Sequence, residues 1–213
     1  MPAKVSIVIP VFQNRNSVAA VVDGVRAALD PHADRVSYRF VLVNDGSTDG
    51  SWEVLQELQR RDPSRVSLVD LTRNFGQMSA LLAGYSHAEG DCVVSMAADL
   101  QDPPEHVWNL VEAWLSGHKL VAATRAGRDD GWASDMVSNL GWSLLQRFAI
   151  PNLPRGSFDF FLMDRDIRDY FVNETDQHIL LQGRLLYYGV KPFQIPSARR
   201  RRPDGKSQHS LAR

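Results

Sequence analysis

Sulfur chemistry is nearly absent from this chain: Cys92 is its single cysteine, so no intrachain disulfide can form. Cys92 stands inside the apolar run Asp91-Cys92-Val93-Val94-Ser95-Met96, which predicts a buried thiol rather than a nucleophile and suits a reducing compartment. No stretch reaches the ~18 consecutive apolar residues needed to span a bilayer. The run Lys4 to Ile9 stops at Pro10, too short for a secretory leader. Also missing are a GxGxxG turn, an HExxH helix and any CxxC pair, which argues against a dinucleotide oxidoreductase and a zinc site. No sign of charge dominates either. With 24 basic and 25 acidic residues the net charge is -1, so bulk charge draws no nucleic acid to this protein.

What is present suits one sizeable globular domain. In 213 residues, 44% are hydrophobic and 23% charged, enough to bury a core and too apolar for disorder. The charge balance hides one asymmetry: Arg199, Arg200, Arg201, Arg202, Lys206 and Arg213 face only Asp204 across residues 199–213, a basic tail.

Short apolar, β-branched runs at Val5 to Ile9, Phe40 to Val43, Val66 to Leu71 and Cys92 to Met96 predict strands. Between them Ser17 to Leu29, Ser51 to Arg61 and Gln77 to Ala88 carry helical apolar spacing, with Asn16 or Ser17 and Asp49 as expected N-caps. The alternation predicts right-handed βαβ units and a mostly parallel sheet flanked by helices, an α/β fold. A helix from Pro104 to Leu115 and a strand from Leu120 to Ala123 continue it; the regular half ends near residue 124. Beyond come an expected helix from Trp132 to Phe148, a strand from Phe158 to Met163, and helices at Arg165 to Val172 and Gln177 to Tyr188.

Parallel strands send their following loops to one edge of the sheet. Here those loops are Pro10 to Asn14, Asn44 to Gly50, Thr72 to Gln77 and Ala97 to Glu105, all rich in polar or turn-forming residues. One such loop is ordinarily a turn and a helix cap. Four on one edge predict a site, and the last places Asp99, Gln101 and Asp102 directly after a buried strand. Two partial motifs fail on inspection. Asp45 to Gly50 opens like an EF-hand loop, but its twelfth position is Gln56 and a strand precedes it. Gly205-Lys206-Ser207 ends like a P-loop, but the glycine needed five residues earlier is Arg200.

The segments VSIVIPVFQN, VLVNDGSTDGS, LTRNFGQ and SMAADLQDPPE, in this order and spacing, resemble family 2 inverting glycosyltransferases, particularly the polyprenyl-phosphate sugar transferases. The similarity runs on through RGSFDFFLMDR and RRPDGKSQHSL, nearly the whole chain. It implies a GT-A fold over a single domain of residues 1–213, with a nucleotide-sugar half to about residue 124, an acceptor half at about 125–198 and the basic tail. It also implies a hexose moved from a nucleoside-diphosphate sugar to a polyprenyl phosphate or other cell-envelope glycan acceptor, with Mg²⁺ or Mn²⁺.

By the same resemblance Asp99 and Gln101 match metal-side positions, and Asp45 matches the acid that holds the nucleotide base beside a wall of Pro10, Val11 and Phe12. Asp159 matches the acceptor-side carboxylate, a general base or acceptor-orienting group. Arg202 and Ser207 match the segment that closes over the donor diphosphate. Arginine suits phosphate because its planar fork offers several donors. The basic tail could equally rest on anionic headgroups, a peripheral contact at the cytoplasmic face of a membrane. One departure stands out: many relatives have Asp-Ala-Asp where this chain has Ala97-Ala98-Asp99, so one carboxylate is missing. Fewer anionic ligands weaken cation binding, and a catalytically weakened nucleotide-sugar-binding or scaffold protein is the alternative reading. A nucleotidyltransferase would need a Gly-rich basic loop after the first strand, which this chain lacks.

Overall fold

A computed structural model describes residues 1–125, 160–173 and 189–197. Seven strands among them form one sheet: β1 (Ala3–Val11), β2 (Val36–Asn44), β3 (Val66–Asp70), β4 (Cys92–Ser95), β5 (Leu120–Arg125), β6 (Phe161–Asp164) and β7 (Phe193–Ser197). Their spatial order is β3-β2-β1-β4-β6-β5-β7. The first four are mutually parallel, β6 runs antiparallel to both β4 and β5, and β7 is parallel to β5. The expected sheet is there; the direction of β6 is what the apolar run alone could not specify.

The helices are α1 (Val18–Leu29), α2 (Ser51–Arg61), α3 (Gln77–Ser86), α4 (Val107–Leu115) and α5 (Arg165–Asn173), with short 3₁₀ turns at Asp30–His32 and Pro104–His106. They cover both faces of the sheet, which explains why the strands read as unbroken apolar runs. Val5, Ile7, Ile9 and Val11 of β1 are buried with residues of α1, α2 and α4. Val8, on the opposite face, joins Val41 and Val43 against α3 and α5, where Tyr85 and Phe171 are fully enclosed. Burying side chains of this size contributes about 1.5–3 kcal/mol each, so the sheet is anchored on both faces beneath its loops.

Three strands, β1, β2 and β5, are longer than the apolar runs that announce them. β1 continues through Pro10 because the β4 ladder has already ended at the Val8–Ser95 pair, so a residue without an N–H costs no bond on that side. β7 was not expected at all: its sequence FQIPS is largely exposed and contains a proline. It becomes a strand because β5 offers it an edge, paired from Val121–Phe193 to Arg125–Ser197. The expected helices Trp132 to Phe148 and Gln177 to Tyr188 lie outside the described residues.

Candidate functional site

From β1 the chain crosses to β2 on one side, and it returns from β3 to β4 on the other side of β1. This is a topological switch point, the place where an open α/β sheet leaves a crevice beyond the carboxyl ends of its strands. The loops after β1 and β4 form its two walls. Ser17, expected as the N-cap of α1, occupies the cap position but makes no side-chain cap bond. Its hydroxyl instead donates across the crevice to the Ala98 carbonyl at 2.6 Å. A longer local contact to the Asn14 carbonyl (3.4 Å) persists beside it, and the short tertiary bond ties the Asp99 loop to α1. On the far side of that loop Gly24 of α1 lies against Pro104, where a Cβ would come within 2.8 Å of the proline ring.

Asp99 is buried at 6% exposure, and its Oδ1 accepts the Gln101 N–H at 3.1 Å. Leu100 between them has φ +60°, a left-handed conformation that a branched side chain rarely adopts. A strained backbone persists only where its surroundings hold it. Here the Ser17 bond and the Pro103-Pro104 stop do so, and the Asp99 and Gln101 side chains share one short turn. Gln101 and Asp102 are half-buried, and Ala97 stands at the loop's entry. Pro103 holds the cap position of the following 3₁₀ turn.

The oxygens of Asp99 and Gln101 are hard donors suited to Mg²⁺ or Mn²⁺, cations that take one or two carboxylates and complete their shell with substrate phosphates and water. Among the described residues no three His, Cys, Asp or Glu side chains cluster closely enough to hold an ion unaided. The residues therefore fit a cation that arrives with a phosphorylated ligand.

The other loops are cross-linked to each other. The Gln13 N–H donates to Ser47 Oγ (3.2 Å) and its Nε2 to Thr48 Oγ1 (2.9 Å), with Gln13 itself at φ +57°. The Asn14 N–H donates to Ser51 Oγ (3.0 Å) and the Arg15 N–H to Asp49 Oδ2 (3.1 Å). Asp49 was expected to cap α2; Gly50 holds that position, while Asp49 Oδ1 accepts both the N–H and the hydroxyl of Ser51. Burial would raise the Asp49 carboxyl, but the bonds from Ser51 and the Arg15 N–H outweigh it and hold the group below its ordinary value.

Asp45 sits at the end of β2 at 2% exposure. Its Oδ1 accepts the Phe75 N–H at 2.7 Å and its Oδ2 the Gly76 N–H at 3.0 Å, so one carboxylate clamps the loop that opens α3. Beside it Asn44 donates to Asp70 Oδ1 at 2.8 Å. Pro10 and Phe12 are half-buried and Val11 fully buried next to this clamp. Farther along the same edge His106 Nδ1 lies 3.0 Å from Ser197 Oγ, the tautomer deciding the donor, which joins the end of β7 to the helix after the Asp99 loop.

The four loops thus meet as expected, with Pro10, Val11, Phe12, Asp45, Asp99 and Gln101 all along one edge. Asp159, Arg202 and Ser207 lie outside the described residues. Sequence reasoning flagged Ser17 and Asp49 only as caps and gave Phe75, His106 and Ser197 no role, because their partners are 30 to 91 positions distant in sequence. Among the described residues no helix is long and apolar enough to cross a membrane.

Comparison with known proteins places these features in a family. The profile of glycosyl transferase family 2 matches residues 6–171. An undecaprenyl-phosphate 4-deoxy-4-formamido-L-arabinose transferase of Edwardsiella ictaluri is 43% identical over 143 residues, covering 67% of this chain and 43% of that protein. An uncharacterised glycosyltransferase of Bacillus subtilis is 31% identical over 207 residues, covering 97% of this chain and 63% of its own length. The chain thus spans less than two thirds of either relative. Among solved structures, a mannosyltransferase of Pyrobaculum calidifontis in complex with GDP-mannose and Mn²⁺ superposes with a TM-score of 0.64 at 18% identity, over 92% of this chain and 55% of that one. Glucosyl-3-phosphoglycerate synthase of Mycobacterium tuberculosis, with Mn²⁺, UDP-glucose and phosphoglyceric acid, gives 0.59 at 19% identity, over 94% and 73%. These likenesses support the GT-A type of fold.

Proposed function

Because the chain belongs to glycosyl transferase family 2, we propose that it moves a hexose from a UDP- or GDP-linked sugar to a polyprenyl phosphate or another cell-envelope glycan acceptor. The observation that carries this reading is the buried Asp99 at the switch point, held in one turn with Gln101 by a backbone that is left-handed at Leu100. In this reading Asp99 and Gln101 hold a divalent cation against the donor diphosphate, and Asp45 with Pro10, Val11 and Phe12 positions the nucleoside. When bound, the cation neutralises charge developing on the departing diphosphate.

Attack by the acceptor in line with that leaving group, in a single displacement, inverts the anomeric carbon. A lipid phosphate is already an anion, so Asp159 orients it rather than deprotonating it. Arg202 and Ser207 close over the diphosphate. The basic tail lies against anionic headgroups at the cytoplasmic face of a membrane, each basic residue contributing about 1 kcal/mol near such a surface.

Release of nucleoside diphosphate from UDP-glucose, UDP-GlcNAc and GDP-mannose, with Mn²⁺ and a polyprenyl phosphate supplied, tests the proposal. Turnover of one donor is expected; no release from any of them refutes it. Ala97 favours a second reading, a nucleotide-sugar-binding protein of weakened activity. Calorimetry showing nucleotide binding indifferent to Mn²⁺, together with no turnover, would select it. Under the first reading Ala97→Asp restores a carboxylate and tightens Mn²⁺ binding in the presence of nucleotide.

A further inference from the structure

We infer that Phe75 is the stacking platform for the donor's nucleobase, backed by the guanidinium of Arg73; this rests on the glycosyltransferase reading above. Phe75 stands 45% exposed on the loop between β3 and α3. A ring left this far in water forgoes much of the burial energy it could gain, yet its backbone is among the most firmly held at this edge. Its own N–H is given to buried Asp45, and the next N–H goes to the same carboxylate. Gly46, at φ +67°, brings the β2 loop onto the same segment, where a Cβ would meet the Arg73 and Asn74 backbone at 2.4–2.7 Å. The backbone that carries the ring is therefore fixed, while the residue stays 45% exposed to solvent. Arg73 lies over it, 4.2 Å from the centroid.

A planar base is the ligand this arrangement suits. Aromatic rings stack on bases of any identity through their π faces, and a cation over the ring restrains its tilt. Each oxygen of Asp45 has lone-pair capacity beyond the one amide it accepts, so the carboxylate that sets the platform can also take an N–H from the base edge. The ring stands on the donor-side loops, after β2 and β3. An isoprenoid tail has no N–H to offer the Asp45 carboxylate, which argues for the base over the lipid.

The test compares the full chain with Phe75→Ala and Phe75→Tyr, titrating UDP, GDP and pyrophosphate in Mn²⁺ by calorimetry. Stacking on one base is worth about 1–3 kcal/mol by alanine substitution, so Phe75→Ala should weaken the preferred nucleotide about 5- to 150-fold. Phe75→Tyr should keep the parent affinity, and pyrophosphate, which has no base, should bind all three proteins equally. Equal nucleotide affinity in Phe75→Ala overturns the assignment. So does a parallel loss of pyrophosphate, which would mean a structural effect on the loop. So does a defect confined to vesicles carrying polyprenyl phosphate, which would give the ring to the lipid. If the parent chain binds neither UDP nor GDP, the glycosyltransferase reading falls first and this one with it.

Discussion

Replacing Asp45 by Asn would separate the loop clamp from any contact with a ligand. The carboxylate is 2% exposed and accepts two backbone amides at 2.7 and 3.0 Å. Asn is nearly isosteric, but it keeps one acceptor and turns the other position into an NH₂ that faces an N–H. The charge assistance on the retained bond is lost, and one buried donor is left without an acceptor at about 1–3 kcal/mol. Together these give an expected destabilisation of about 2–4 kcal/mol. Against a typical stability of about 5–15 kcal/mol that is a large fraction. Urea unfolding followed by circular dichroism should show a midpoint lower by about 1–2 M with the slope unchanged. Asp45→Ala, which removes both acceptors, should lose at least as much. Asp45→Asn within about 0.5 kcal/mol of the parent, with nucleotide binding alone abolished, would refute the clamp: Asp45 would then act only on a ligand.

Two further outcomes are expected. Leu100→Gly removes the left-handed strain, roughly 1–2 kcal/mol, but gives back unfolded-state entropy and the packing of the leucine, so the thermal midpoint should barely move. Mn²⁺-dependent nucleotide affinity should fall about 3- to 10-fold as the turn loses its preset shape, and an unchanged affinity would show that the turn's conformation does not matter to the ligand. Tyr38 is pushed up to about 12 by burial and by the neighbouring Asp30 carboxylate, which accepts its hydroxyl proton at 2.6 Å. Below about pH 10 the phenol is protonated in both folded and unfolded chains; between about 10 and 12 it ionises only in the unfolded chain and draws the equilibrium that way. Stability should fall across that window in the parent and fall less in Tyr38→Phe; identical profiles would show that Tyr38 does not govern the alkaline limb.

Much of the fold was legible because its strands are buried on both faces. Val5 to Ile9 and Cys92 to Met96 are apolar on both faces apart from Ser6 and Ser95, and their shortness and β-branched residues mark them as strands between helical segments. β7 was illegible for the complementary reason. Its residues are exposed and carry Pro196, so nothing local marks them, and only the free edge of β5 makes them a strand. The caps were half legible: Ser17 stands at the cap position of α1 but gives its hydroxyl to Ala98, and Asp49, one residue before the cap of α2, takes the Ser51 N–H at the helix start while its other oxygen ties down Arg15.

The residue types and their order in four loops led to the expectation of a phosphate- and cation-handling edge, because parallel strands send loops rich in oxygen donors to one side of the sheet. Tertiary structure alone decided how those residues are employed. Asp45 reaches 31 positions along the chain to Gly76, Ser17 reaches 81 to Ala98, and His106 reaches 91 to Ser197. A hydrogen-bonding side chain takes whichever partner the fold presents at the right distance and angle, and sequence spacing carries no record of that choice.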